Sequence, residues 1–320
     1  MRRRRIIRSL LVYLNHRSSI ELLNRSTGGW RGGVRMNVGV DRRALLRSGI
    51  IGASAVLSGS IPALLRAAAP LNPWQLLFNG VDLTGWSFYQ DGVGTVDRLG
   101  AVAIDDGVLH FMGPRYQRSP GGGFGRLTTR DSYADYHLRL DFRWGIERFA
   151  PRTLAKRNSG ILYHMAPGDT VLYPDCIEYQ MEESDLGDAI LVNTQGLEGA
   201  NLGGTPVWPT YPPFLPKTYP DPVVAGGIAR QWYKKTGDFE LHDGWNTLDL
   251  IAFGDQAAHI VNGRIVTTLF GLRQRPVDGH PGAPLRDGRI ALELEGAEIL
   301  FRNVMIRRLS GDDIATLKRG

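Results

Sequence analysis

The chain has 320 residues and a formal net charge of +6, with 40 glycines, 18 prolines and a single cysteine. One cysteine, Cys176, excludes an intramolecular disulfide and a cysteine-based zinc cluster. Residues 1–69 hold thirteen arginines against two acids, about +11. Residues 70–320 therefore carry 25 basic and 30 acidic residues, and a nucleic-acid role read from the basic pI fails for the body of the chain.

The first 69 residues read as an address. Asp41-Arg42-Arg43-Ala44-Leu45-Leu46-Arg47 precedes a mildly apolar run, Ser48 to Leu65, and Ala67-Ala68-Ala69 closes it. Paired arginines, weak hydrophobicity and a small-residue end resemble a twin-arginine export signal. Export to the periplasm or beyond is the expectation, with membrane contact only through this segment if it stays uncleaved. Pro70 is a poor residue after a cut at Ala69. Met36 begins a signal of more usual length, so residues 1–35 are expected to be an artefact of the assigned start. Such export moves folded proteins, which suits a domain without disulfides.

Residues 70–320 read as one domain of many short strands. Asn79-Gly80 and Thr84-Gly85 are turn dipeptides between apolar pieces. Asp106-Gly107 joins Val102/Ile104 to Val108/Leu109/Phe111 as a hairpin. Tyr136–Trp144 alternates cleanly: Tyr136, Leu138, Leu140, Phe142 and Trp144 on one face, His137, Arg139, Asp141 and Arg143 on the other. Residues 156–188 then form two strands. In the second, Ile177, Tyr179 and Met181 oppose Glu178, Gln180 and Glu182; in the first, Asn158 and His164 share parity. Cys176 reads as a small core residue.

Residues 199–243 hold Trp208-Pro209 and Tyr211-Pro212-Pro213, then Tyr219-Pro220-Asp221-Pro222. Proline at this density predicts a long irregular loop, and its aromatics favour a functional cover over a linker. Strands resume at Trp245–Phe253 and Ala258–Val261. The Asn262-Gly263 turn leads to Ile265–Leu269, and Arg289–Leu294 and Ile299–Leu309 follow. Only Asp312–Lys318 reads as helix. Strong single apolar faces with little helix predict a two-sheet sandwich.

Several motifs occur together in order: F-N-G-x-D-L-T-G-W (78–86), D-G-V-L (106–109), N-S-G-I (158–161), the I-E-Y-Q strand, W-N-T (245–247) before H-x-x-N-G (259–263), and F-R-N-V-x-I (301–306). This set resembles the 3-keto-disaccharide hydrolase domain family across about 76–309. The resemblance implies a concanavalin A-like jelly roll of two antiparallel sheets and a sugar ligand on the concave sheet. The Pro-rich insertion departs from the family pattern.

Glu178-x-Gln180-x-Glu182 also resembles the E-x-D-x-E strand of retaining β-glucanases, with Gln180 at the middle acid. Four residues of strand span about 13 Å, whereas retaining carboxylates stand about 5–5.5 Å apart. A 3-keto sugar opens another route: the ketone acidifies C2–H, an enolate forms, the C1 aglycone leaves and water adds back. For this route the polar residues offer Glu178 or His259 as base, Arg143 and Asn158 as enolate donors, and Glu182 or His164 as acid. Gln180, Trp208 and Tyr211 are expected to bind the sugar. The acidic run Glu182-Glu183 to Asp185 and Asp188 is a possible calcium site or a solvated loop. A glycoside-cleaving enzyme and a non-catalytic sugar-binding module both fit; an envelope-interaction role is a distant third. Glu178, His259 and Arg143 lining one cleft would favour the enzyme.

Overall fold

The computed structural model describes residues 72–118, 123–199, 201–202, 205–206, 218–278 and 280–319. The export-signal segment, Trp208 and Tyr211 lie outside the described residues. Two antiparallel sheets of nine strands each pack as a jelly-roll sandwich. Across one sheet the strands run Val223–Ala225, Ile228–Tyr233, Ala189–Val192, Cys176–Gln180, Gly160–Met165, Asp287–Glu295, Phe124–Thr129 and Trp86–Gln90, with Tyr133–Ala134 beside Asp287–Glu295. Across the other they run Thr194–Glu198, Arg264–Gln274, Gln256–Val261, Asn246–Phe253, Tyr136–Arg148, Ala297–Arg308, Val108–Phe111 and Val102–Asp105, with Gln75–Leu76 on Ala297–Arg308. The helix Gly311–Leu317 follows, capped by Ser310 and Asp313.

Period-two patterning decides which face is buried. In Tyr136–Arg148 the five apolar residues from Tyr136 to Trp144 are buried, while Arg139 and Arg143 are exposed. Ile177, Tyr179, Leu292 and Leu294 of the facing sheet join them in one core. The hairpin turns Asp106-Gly107 and Asn262-Gly263 both hold two consecutive positive φ angles, 48° and 77° in each, as a two-residue hairpin turn requires.

Two expectations change. The segment 199–243 is not one irregular loop: Val223–Ala225 and Ile228–Tyr233 pair around Gly226-Gly227 and extend the first sheet. Residues 223–233 contain no proline, and Gly226-Gly227, with φ of 61° and 82°, forms the tight turn that lets the two strands pair. Second, the strand Gly160–Met165 contains a bulge. Arg289 pairs with Met165 but Ala291 with Leu162, so one extra residue sits on the Gly160–Met165 side. His164 has φ 47° there, and the parity of the strand changes at that point.

Candidate active site

The outward face of the first sheet has two halves. One is apolar: Leu162, Met165, Cys176, Ile190, Val192 and Ala291 form a cluster under Tyr173, Ile228 and Trp232. Cys176 is buried there, and burial pushes its thiol well up, so it is a packing residue and not a nucleophile. The other half is acidic. Glu178 projects from Cys176–Gln180, and Glu293 and Glu295 project from Asp287–Glu295 on the far side of Gly160–Met165. One carboxylate oxygen from each of the three lies within 4.8 Å of the other two.

Local sequence makes this approach possible. Ile290, Leu292 and Leu294 turn inward, so Glu293 and Glu295 must turn outward. Gly160 lies between the acids: a Cβ there would stand 2.3 Å from Glu293 Oε2 and 3.2 Å from Glu178 Oε1. Glu293 is buried at 4% exposure, and Glu178 and Glu295 are half-buried. Asn158 Nδ2 donates to Glu295 Oε2. Among the described residues, neither Glu178 nor the Glu293 carboxylate takes a hydrogen bond or ion pair, and Glu293 Oε2 is a buried atom without a partner.

Burial raises all three carboxyls; repulsion within the group adds to it for Glu178 and Glu293, and Glu182 adds to it for Glu295. Burial and then Glu295 hold Glu178 well above the usual range, against the pull of Arg230. Burial, Glu178 and Glu295 do the same to Glu293, against Arg126 and Arg230. Glu295 is pushed up to about 7 by burial, with Arg152 opposing. Arg126, buried at 1% exposure, is directly across from Glu293 in register but donates to carbonyls of the 166–175 loop: Gly168 O at 2.6 Å and Val171 O. It ties that loop across the acidic half.

The expected site residues divide. Glu178, Asn158, Gln180 and Glu182 share this face. Gln180 is buried, and its Oε1 accepts from the Met181 N–H at 3.0 Å. Glu182 pairs with Arg152 Nη2 at 2.5 Å; burial raises its carboxyl even so. His259 does not join them. It comes from the second sheet and points into the core, where its ring stacks on Tyr179 at 4.1 Å and bonds Tyr163 Oη and Gly187 O at 3.0 Å each. Burial lowers it to about 4. His164 is turned by the bulge toward the core, with its ring 6.5 Å from Tyr136, and burial lowers it to about 4 as well. Arg143 is exposed on the outer face of the second sheet, 5.3 Å from the Trp245 ring, on the opposite side of the sandwich. The cleft of Glu178, His259 and Arg143 is therefore not formed; three glutamates converge instead.

The acidic run is not a calcium loop. Glu182 pairs with Arg152, Glu183 with Arg157 and Arg148, Asp185 with Lys156 and Lys234, and Asp188 with Lys234. Every carboxylate there already has a cation. The group of described residues that could hold a metal ion is Glu178, Glu293 and Glu295.

Comparison with known proteins adds the following. The sequence profile of the 3-keto-alpha-glucoside-1,2-lyase-like domain matches residues 73–307. No curated protein matches the chain. Among solved structures, a candidate glycosyl hydrolase from Parabacteroides distasonis is 19% identical, with 74% of this chain and 94% of that one covered and a TM-score of 0.45. A carbohydrate-binding module from Bacillus subtilis is 13% identical, covering 70% and 95%, with a TM-score of 0.40. A Bacillus licheniformis beta-glucanase is 12% identical, covering 76% and 100%, also at 0.40. At these scores none of the three carries an activity or a ligand over to this chain.

Proposed function

The chain belongs to the 3-keto-alpha-glucoside-1,2-lyase-like domain family, and from that membership and the converging glutamates we propose that it cleaves 3-keto-glycosides by C2 deprotonation. It is a carbohydrate-directed jelly-roll protein; the proposal concerns its substrate and its chemistry. The single observation that supports the reaction is Glu178, Glu293 and Glu295 brought within 4.8 Å of one another on one partly buried face.

In this reading Glu178, once ionised, takes the C2 hydrogen as a proton; its raised carboxyl makes the carboxylate the more basic. The bonding pair moves into C2–C3 and leaves negative charge on the C3 oxygen. The enolate collapses to C1=C2 and expels the C1 aglycone oxygen, which takes a proton. Water then adds, hydroxyl to C1 and proton to C2, releasing the free 3-keto sugar. Glu182 suits the acid role, since burial raises its carboxyl against the pull of Arg152. Asn158 stays beside Glu295, to which its amide donates. His164 and His259 are left out because both are in the core. Proton transfer in this scheme does not use Glu293 and Glu295.

One oxygen of each carboxylate lies within 4.8 Å of the others, near the separation of about 5–5.5 Å between the groups of a retaining pair, which makes an ordinary retaining glycosidase the second reading. Incubation with 3-keto-glycosides and their unoxidised parents separates the two. Turnover of the 3-keto forms, lost in Glu178→Gln, supports elimination; turnover of the parents alone overturns it. Turnover of neither, with sugar binding retained, returns the protein to the binding-module class. We extend the proposal to location. The Arg42-Arg43 pattern favours twin-arginine export, and changing both residues to lysine is expected to keep the protein in the cytoplasm; unchanged export overturns that reading.

A further inference from the structure

Three carboxylates crowded on a partly buried face need compensation. Elsewhere on this sheet it is provided: Glu182, Asp185 and Asp188 each have an arginine or lysine partner. Glu178 and Glu293 have no arginine or lysine in ion-pair contact among the described residues, with Arg126 and Arg230 farther off, and Glu295 has the Asn158 amide with Arg152 farther off. Buried like charges this close either hold protons or hold a cation.

Two further observations favour a cation. Asn158 is buried at 6% exposure, its amide lies against Glu295, and its Oδ1 is buried with no partner. A half-turn of the amide brings that oxygen to the side of the cluster where Nδ2 now sits. Glu293 Oε2 is likewise buried without a partner, in space kept open by the absent side chain of Gly160. The donors are then three carboxylates and an amide oxygen, a hard all-oxygen set. One oxygen of each carboxylate lies within 4.8 Å of the other two, which is compatible with donors around one hard divalent ion. Calcium takes such all-protein sets of carboxylate and amide oxygens, whereas magnesium keeps several waters and is seldom held by them.

We propose that Glu178, Glu293, Glu295 and the Asn158 side-chain oxygen bind a calcium-sized divalent cation. The inference deepens the elimination reading, because a cation here supplies the positive charge at the C3 oxygen that Arg143, on the far side of the sandwich, does not. Glu178 keeps its second oxygen for the C2 proton. Binding itself is measured without any sugar.

The test is calorimetric titration of chelator-treated full-length protein with calcium chloride, alongside thermal melts. Wild type is expected to bind one equivalent and to melt higher with calcium. Glu293→Gln and Glu295→Gln are expected to bind at least about tenfold more weakly, and Asp185→Asn, in the lysine-paired loop, as wild type does. In chelator, Glu293→Gln is expected to melt above wild type, because one of three repelling carboxylates is gone; calcium reverses that order. No heat and no melting shift at about 10 mM calcium, above the range of weak extracellular sites, overturns the inference. So does Glu293→Gln binding as tightly as wild type, or binding of magnesium alone. Turnover of 3-keto-glycosides without calcium binding sinks the cation and leaves the proposed reaction standing; calcium binding without turnover does the reverse.

Discussion

Replacing Gly160 by alanine separates a steric role from a backbone one. Gly160 does not have the positive φ that would demand glycine, so alanine fits its backbone and would ordinarily gain about 0.5–1 kcal/mol by limiting the unfolded chain. The added Cβ would lie 2.3 Å from Glu293 Oε2 and 3.2 Å from Glu178 Cγ. Overpacking costs about 1–3 kcal/mol, and the lower end applies because the struck atom ends a flexible side chain. The two effects nearly offset, so the net loss is expected within about 2 kcal/mol. Function is not protected in that way. The Glu293 carboxylate must shift by roughly an ångström, which displaces a donor of the proposed cation, and the same Cβ crowds the base Glu178; a misplacement of that size costs on the order of 100-fold in rate. Urea unfolding with turnover of a 3-keto-glucoside checks both quantities. Gly107→Ala is the control: its φ is 77° and a Cβ would meet nothing within 4 Å, so it is expected to lose about 1 kcal/mol and no activity. Wild-type turnover in Gly160→Ala would refute the reasoning that the gap beside Gly160 holds the site open.

Other outcomes follow from where the remaining residues sit. Arg143→Ala is expected to leave turnover unchanged, since the side chain is exposed on the second sheet; a loss above about threefold contradicts that placement. His259→Ala removes two buried hydrogen bonds and a stacked ring, and is expected to cost about 2–4 kcal/mol in a denaturant melt with normal turnover per folded molecule. Burial lowers His164 and His259 to about 4, so both are neutral in the folded protein where the unfolded chain already takes protons. Their effect is absent above pH 6.5. As pH falls from 6.5 to 4 they are expected to remove stability, by about 3 kcal/mol each at the low end. Ring-proton resonances that titrate near 6.5 would contradict this.

Hairpins and face alternation were legible because both depend on neighbours in sequence. The Asn262-Gly263 turn and the strand from Tyr136 needed nothing else. Alternation likewise put Glu178, Gln180 and Glu182 opposite a core face. It does not say which sheet a strand joins, so it cannot separate Arg143 from Glu178, both outward but on opposite sides of the sandwich. His259 shares parity with Ala257 and Val261, both in the core, so its burial is readable from the strand alone; the H-x-x-N-G motif it opens carries no information about its face. His164 was not readable, because a one-residue bulge changed the parity of its strand. Glu293 and Glu295 carried the same signal as Glu178, carboxylates alternating with Leu292 and Leu294. Only the strand order, which puts Gly160–Met165 between the two acid-bearing strands, makes them one site.

The most direct measurement is turnover of a 3-keto-glucoside deuterated at C2, by wild type and by Glu178→Gln. Proton removal from C2 by Glu178 predicts a primary isotope effect in wild type, release of the aglycone, and loss of turnover in the variant by on the order of 100-fold or more. Aglycone release with no isotope effect and undiminished turnover in Glu178→Gln would contradict it.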